Sequence, residues 1–272
     1  MRVPNPQTIR VVFLVSVVVV FAVSAQAVVY TNAYVKGSYG FLMNKWTADT
    51  TSNQDGLLGV MHFDGAGNVT VSFNDMAGGT LTTGTGSGTY VVNSNGTGSI
   101  SLTGAAQIAI VLNSTVAKVA TSLQMLTINY PHNEVQSGTA VLQTTAAATY
   151  TAASLKGIMA FQIDSWTDDL TQARTCVVGL LNFNGAGKVT ASITEVKTGV
   201  PSTGTVTGTY IVNTDGSGTL SLVSGTDSFQ IAMVLNTVAV NTTTKLGVAK
   251  AFQMLQTTET TNRVDSGIAM KQ

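Results

Sequence analysis

The stretch GVMHFDGAGNVT, Gly59 to Thr70, decides the fold, because the chain writes it twice: Gly179 to Thr190 reads GLLNFNGAGKVT. In the first copy Leu57, Gly59, Met61 and Phe63 alternate with other residues, which places them on one face of an extended strand. Val177, Gly179, Leu181 and Phe183 repeat that face. Asp64-Gly65-Ala66-Gly67 and Asn184-Gly185-Ala186-Gly187 then supply turn residues before a second strand-forming run. Turn chemistry accepts Asp or Asn, whereas a general acid could not be exchanged for Asn, so Asp64 reads as a hairpin residue.

Outward from this unit the duplication widens. Residues 30–103 and 150–223 align without gaps at an offset of 120 and share 31 identities in 74 positions. The offset then grows: QIAIVLN (Gln107 to Asn113) matches QIAMVLN (Gln230 to Asn236) at 123, and Gln124-Met125-Leu126 matches Gln253-Met254-Leu255 at 129. Insertions between matched segments belong in loops. A repeat near 120 residues is domain-sized, so residues 28–149 and 150–272 read as two tandem domains that fold separately.

Each copy reads as antiparallel β. Period-two alternation recurs, as in Ile108, Ile110 and Leu112 and again in Ile231, Met233 and Leu235, and no stretch after residue 27 holds a helical period over three turns. Asn95-Gly96 and Asp215-Gly216 suit two-residue hairpins, in which both central residues take positive φ. In the first copy strand-like runs centre near Tyr39, Val60, Val71, Val91, Ile100, Ile110, Met125 and Val141. Short sequential links favour an up-and-down meander, and about eight strands per copy close into a barrel, with a pair of β-sandwiches as the alternative.

Residues 1–27 read as a secretory signal peptide. Arg2 and Arg10 precede the apolar run Val11 to Val23, and Ala25-Gln26-Ala27 forms an A-x-A cleavage site, so the exported chain is expected to begin at Val28. An uncleaved anchor is the other reading of this segment. No later run is apolar for long enough to span a bilayer as a helix. The expected location is secreted, periplasmic or at the cell surface.

Composition excludes more than it assigns. Charged residues are 10% of the chain, and 13 basic against 13 acidic residues leave no electrostatic footprint for nucleic acid. One Cys and two His give little material for a metal site or a disulfide framework, and no cofactor is expected. Neither a G-x-S-x-G elbow nor a phosphate-binding glycine loop occurs. His62 alternates away from the Met61/Phe63 face toward solvent, and its counterpart in the second copy is Asn182, so neither it nor His132 reads as a catalytic base. Asp49 and Asp55, like Asp164, Asp168 and Asp169, read as solvated loop acids around the two tryptophans, without the spacing of a calcium loop. Cys176 aligns with Gly56 and lies outside the shared framework; it is either buried and inert or available for an intermolecular bridge.

The succession Gly37-Ser38-Tyr39-Gly40-Phe41, Phe63-Asp64-Gly65-Ala66-Gly67 and Gly88-Thr89-Tyr90 with Asn93 and Gly96-Thr97-Gly98 resembles uncharacterised exported bacterial tandem β-barrel proteins. The plan of a Gly-aromatic first strand and an eight-stranded meander is also similar to the lipocalin/calycin group, although the Gly-x-Trp usual there is absent. That second resemblance implies a small-ligand role; neither implies a catalytic residue.

The sequence therefore leads to an exported non-catalytic protein, a structural or contact module of the envelope, cell surface or extracellular space, with a calycin-like binder of a small apolar ligand as the alternative. Residues that would line such a pocket are Trp46, Trp166, Phe41, Phe161, Met61, Phe63 and Phe183. No ionisable residue recurs among the apolar inward positions, so the interiors are expected to be mostly filled, with at most a small apolar pocket toward Trp46 and Trp166. A filled interior favours the contact module, whereas an open cavity of ~300 Å³ or more favours the binder.

Overall fold

The computed structural model describes residues 28–47, 55–77, 79–104, 107–129, 134–144, 148–167, 175–197, 199–225, 227–258 and 263–272. The expected signal segment, His132, Asp49, Asp168 and Asp169 lie outside them. Strands β1 (Lys36–Thr47), β2 (Asp55–Asp64), β3 (Asn68–Ala77), β4 (Thr80–Val92), β5 (Thr97–Leu102), β6 (Gln107–Val116), β7 (Val119–Ile128) and β8 (Glu134–Thr144) form barrel 1. Strands β9 (Lys156–Thr167), β10 (Thr175–Asn184), β11 (Lys188–Lys197), β12 (Val200–Val212), β13 (Ser217–Ser224), β14 (Asp227–Val240), β15 (Gly247–Gln256) and β16 (Arg263–Lys271) form barrel 2. Each strand pairs antiparallel with its sequence neighbours. β1 closes on β8 and β9 on β16, so these are barrels and not sandwiches, and no strand edge is left open. Among the described residues no helix is long and apolar enough to cross a membrane.

The turns follow from local chemistry. The Asp64 carboxylate accepts from the backbone N–H groups of Ala66, Gly67 and Asn68 and from the Asn68 amide, while Gly65 and Gly67 take positive φ. The Asn184 side chain holds Ala186 and Lys188 in the same way. The Asn-Gly hairpin differs from expectation. Gly96 alone takes positive φ, its N–H bonds to the Asn93 carbonyl, and the Asn95 side chain accepts from the Thr97 N–H. The loop is thus a turn completed by one left-handed glycine, not a two-residue primed turn, and Asn213 to Gly216 repeat it.

Odd-numbered residues of β1 and β2 face inward. Phe41, Met61, Phe63, Ile100, Ile108, Ile110 and Met125 are buried, as are Phe161, Leu181, Phe183, Leu220, Ile231, Met233 and Met254 in barrel 2. One end of barrel 1 is closed by a 3-10 turn, Asn32–Tyr34, and by Val35. The Tyr90 hydroxyl donates to the Val35 and Asn32 carbonyls, at 2.7 and 3.0 Å, tying that plug to β4. In barrel 2 the Tyr210 hydroxyl donates to the Leu155 and Ala152 carbonyls, both at 2.9 Å. The same end is filled by an edge-to-face chain, Tyr39 on Phe63 on Tyr90.

The barrels touch through outward-facing residues. Leu58, Val60 and Met76 of barrel 1 are buried against Ala232, Val234 and Leu255 of barrel 2, with Leu42 at the margin. Close approach requires Gly40: a Cβ there would collide with Asn236 and Val234 of the other barrel. Around this apolar patch the Gln253 amide donates to Thr139, and the Gln143 amide to the Asp215 carbonyl.

Candidate functional site

Barrel 1 holds a cavity of about 500 Å³ at the end where β1 stops and β2 starts. Its depth is apolar: Phe41 from β1, Leu57 and Met61 from β2, Phe73 from β3 and Ile108 from β6. Glycines make the room. The Phe41 ring lies over Gly59 and the Phe73 ring over Gly84, where a Cβ would meet each ring at 2.8 and 2.5 Å. The outer layer is polar. Asp55, Asp75, Thr127, Asn129 and Gln136 line it, and Lys45 forms an ion pair with Asp55, its direct cross-strand partner. The Thr127 hydroxyl donates to the Gln136 side-chain carbonyl at 3.0 Å, and both side chains are buried. Asp75 lies across from Leu57 on β3, and its carboxyl is pushed up by burial first and by the Asp55 charge second, against the pull of Lys45. The layer therefore brings two acidic side chains and one lysine together at the mouth of an apolar cavity.

The sequence-predicted lining divides. Phe41 and Met61 line the cavity. Phe63 sits deeper, 1% exposed, with its ring centroid 5.4 Å from Tyr39 and 5.0 Å from Tyr90. Phe183 fills barrel 2 against Tyr210 and Phe252, and Phe161 is buried in the same cluster. Trp46 pairs with Val135 and Trp166 with Val264 at strand ends; their side chains lie outside what the structure describes. Lys45, Asp55, Asp75 and Gln136 were missed. Asp55 is not a solvated loop acid but a buried residue opening β2, and ionisable groups do face inward. Parity was the available signal, since Lys45 continues the Tyr39, Phe41, Met43 series and Asp55 begins the Leu57, Gly59, Met61 series.

A second concavity, of about 700 Å³, lies between the outer wall of β1–β4 and the Asp215 hairpin of barrel 2. His62 faces outward into it and its Nδ1 lies 3.2 Å from the hydroxyl of Ser38, its direct cross-strand partner. Asp215 lines the same groove, yet its carboxylate accepts from the Ser217 N–H and hydroxyl and from the Ser72 hydroxyl. Serine, histidine and aspartate are thus present without the chain of bonds that activates a nucleophile. The Cys176 thiol donates to Asp164 at 3.3 Å and is pushed up by burial and by that carboxylate, the reverse of what a reactive thiolate needs. No cluster of three metal-ligating side chains occurs among the described residues.

No family model and no curated protein matches the chain. Among solved structures it is similar to a protein of unknown function of the DUF3598 family from Nostoc punctiforme, at 11% identity and a TM-score of 0.29, covering 89% of this chain and 98% of that one. It is also similar to CghA, at 5% identity and a TM-score of 0.27, covering 85% of this chain and 87% of that one.

Proposed function

We propose that the protein is an exported, non-catalytic binding module whose barrel 1 holds one small ligand, apolar along most of its body and cationic at one end. The cavity of about 500 Å³ carries this reading. Its size falls within the ~300–1,000 Å³ of small-molecule sites, and its apolar depth and polar outer layer form the gradient such a ligand needs. An eight-stranded barrel is wide enough for one small ligand, which makes the site calycin-like in plan. The excess carboxylate of the Lys45, Asp55 and Asp75 layer favours an amine over a fatty acid. The Ala25-Gln26-Ala27 segment supports export. The engagement of Asp215 within its own turn supports the absence of catalysis.

The test is titration of the exported protein with N-phenyl-1-naphthylamine, a neutral apolar fluorophore, followed by displacement with dodecylamine and dodecanoate. One saturable site is expected, with dodecylamine the better competitor and Leu57→Trp, which fills the cavity, abolishing uptake. An unoccupied barrel 1 under native mass spectrometry, together with no saturable fluorescence, would overturn the reading.

A further inference from the structure

The contact between the barrels is built from two faces that the duplication made twice. Barrel 1 contributes the outer wall of β8, β1 and β2, where cross-strand rows run Thr139, Leu42, Leu58 and Val141, Gly40, Val60. Barrel 2 contributes the outer wall of β14 and β15, where Ala232 pairs with Leu255 and Val234 with Gln253. In the contact Val234 and Leu255 are 0% exposed.

Each face has a counterpart on the other barrel. On barrel 1, Ala109 pairs with Leu126 and Val111 with Gln124. These are the same residue types in the same register as Ala232, Leu255, Val234 and Gln253, and the copies diverge just beyond, where β6 bulges between Leu112 and Ser114. Yet Val111 is 49% exposed and Leu126 44%. On barrel 2, the rows corresponding to the first face run Ile268, Gln162, Val178 and Met270, Ala160, Leu180. Met270 is 58% exposed and Leu180 40%, with Ile158 beside them also exposed. The chain thus presents one unpartnered copy of each half of an interface whose complementarity is already displayed inside it.

We propose that a second copy of this chain occupies these faces, barrel 2 of one molecule docking through β16, β9 and β10 on β6 and β7 of barrel 1 of the next. The contact continues the one within the chain. Its halves differ, so it is heterologous and builds head-to-tail oligomers, not a two-fold dimer. The mismatches set its strength. Gln162 stands where Leu42 packs at the margin, Ala160 stands where Gly40 permits close approach, and Val111 stands where Val234 crowds that glycine. The Ala160 methyl holds the docking strands apart, so the contact between molecules is weaker than the one within the chain and depends on concentration.

Sedimentation velocity of the exported chain, over concentrations up to about 1 mM, the weak end of specific association, tests this. The expected result is reversible growth beyond dimer. Val111→Asp and Leu180→Asp place a carboxylate in the docked patch at positions already exposed, so each should leave the thermal melt unchanged and weaken association by at least roughly tenfold. Because each variant keeps one intact face, mixing the two should restore association but stop it at the dimer, an outcome a two-fold interface cannot give. Ala160→Gly should strengthen association several-fold. A monomer throughout the range would overturn the proposal. So would association that neither aspartate disturbs, a mixture that stays monomeric, or Ala160→Gly without gain.

Discussion

Phe63→Ala separates a packed interior from a ligand-lined one within the same barrel. The ring is 1% exposed, lines no part of the cavity, and stands edge-to-face between Tyr39 and Tyr90 at 5.4 and 5.0 Å. Truncating a buried Phe costs ~3–5 kcal/mol through lost transfer energy and the void left behind. Each edge-to-face pair adds ~0.5–1.5 kcal/mol beyond area, though the two are not additive. Both hydroxyls flanking the ring are fixed to backbone carbonyls, Tyr39 to Ala120 and Tyr90 to Val35, so the walls cannot readily collapse into the void. The expected cost lies toward ~5 kcal/mol, a midpoint drop on the order of 20 °C for a unit of barrel size. Circular dichroism melts read the stability, with Phe183→Ala as the matching change in barrel 2. N-phenyl-1-naphthylamine titration reads the site and should give an affinity within about twofold of wild type, since the cavity wall is intact. Phe73→Ala, whose half-buried ring does line the cavity, should show the opposite balance, with a smaller loss of stability and altered probe affinity. A near-neutral melt for Phe63→Ala combined with lost probe binding would show that the ring lines the ligand site and that the interior is not packed as described.

Other outcomes follow from single interactions. Asp64→Asn should melt as wild type, because Asn184 holds the equivalent turn, whereas Asp64→Ala should lower the melting temperature by removing the acceptor of three backbone N–H groups. Alkali should destabilise the fold: burial raises Tyr90 and Tyr150 from 10.0 to about 12, so the unfolded chain loses these protons first. The stability they contribute is whole below pH 10 and is lost as pH rises toward 12, which a pH series of urea midpoints would reveal. Asp75→Asn should erase the preference for dodecylamine over dodecanoate in probe displacement while leaving the apolar probe bound. Intact-mass measurement of exported protein should give a chain starting at Val28, and a membrane-retained chain still carrying Met1 would refute export as a free protein.

Much of the architecture was legible because β structure writes itself in parity and turns. The Leu57, Gly59, Met61, Phe63 series and the Asp64 to Gly67 turn specified a hairpin, and the duplicate confirmed which residues the fold shares. Closure was not in that pattern: a sandwich and a barrel use the same alternation, and only the pairing of β1 with β8 separates them. The Asn95-Gly96 dipeptide marked the turn but not its type, since the Asn95 side chain closes onto Thr97 while its own backbone stays out of the left-handed region. The polar end of the cavity was hidden for a different reason. Asp55 reads as a solvated loop acid and Lys45 and Asp75 draw no reading, and burial of a charge becomes intelligible only once a partner such as Asp55 for Lys45 is seen across the strand pair.

The comparison of the two copies locates specificity within a shared scaffold. Positions that agree build the barrel: Phe41 and Phe161 over the glycines Gly59 and Gly179, Phe63 and Phe183 against Tyr90 and Tyr210. Core positions such as Tyr39 and Met159 exchange one buried side chain for another, and a further set of differences changes polarity. In the outermost inward layer Lys45, Asp55, Thr127 and Gln136 of barrel 1 are replaced by Ser165, Thr175, Gln256 and Asp265, all of them buried. A buried ion pair is costly to maintain, and replacing such pairs with well-packed apolar groups is often neutral or stabilising. Stability of the barrel therefore does not account for the Lys45–Asp55 pair, since the same layer of the same fold is built in barrel 2 without it. What the pair does supply is a fixed charge pattern at the end of an apolar cavity, which is what the proposed binding of an amine-ended ligand would use. Outside the barrels the copies differ as well: Gly40 permits a close approach to Val234 and Asn236, and Ala160 stands at the equivalent position of barrel 2.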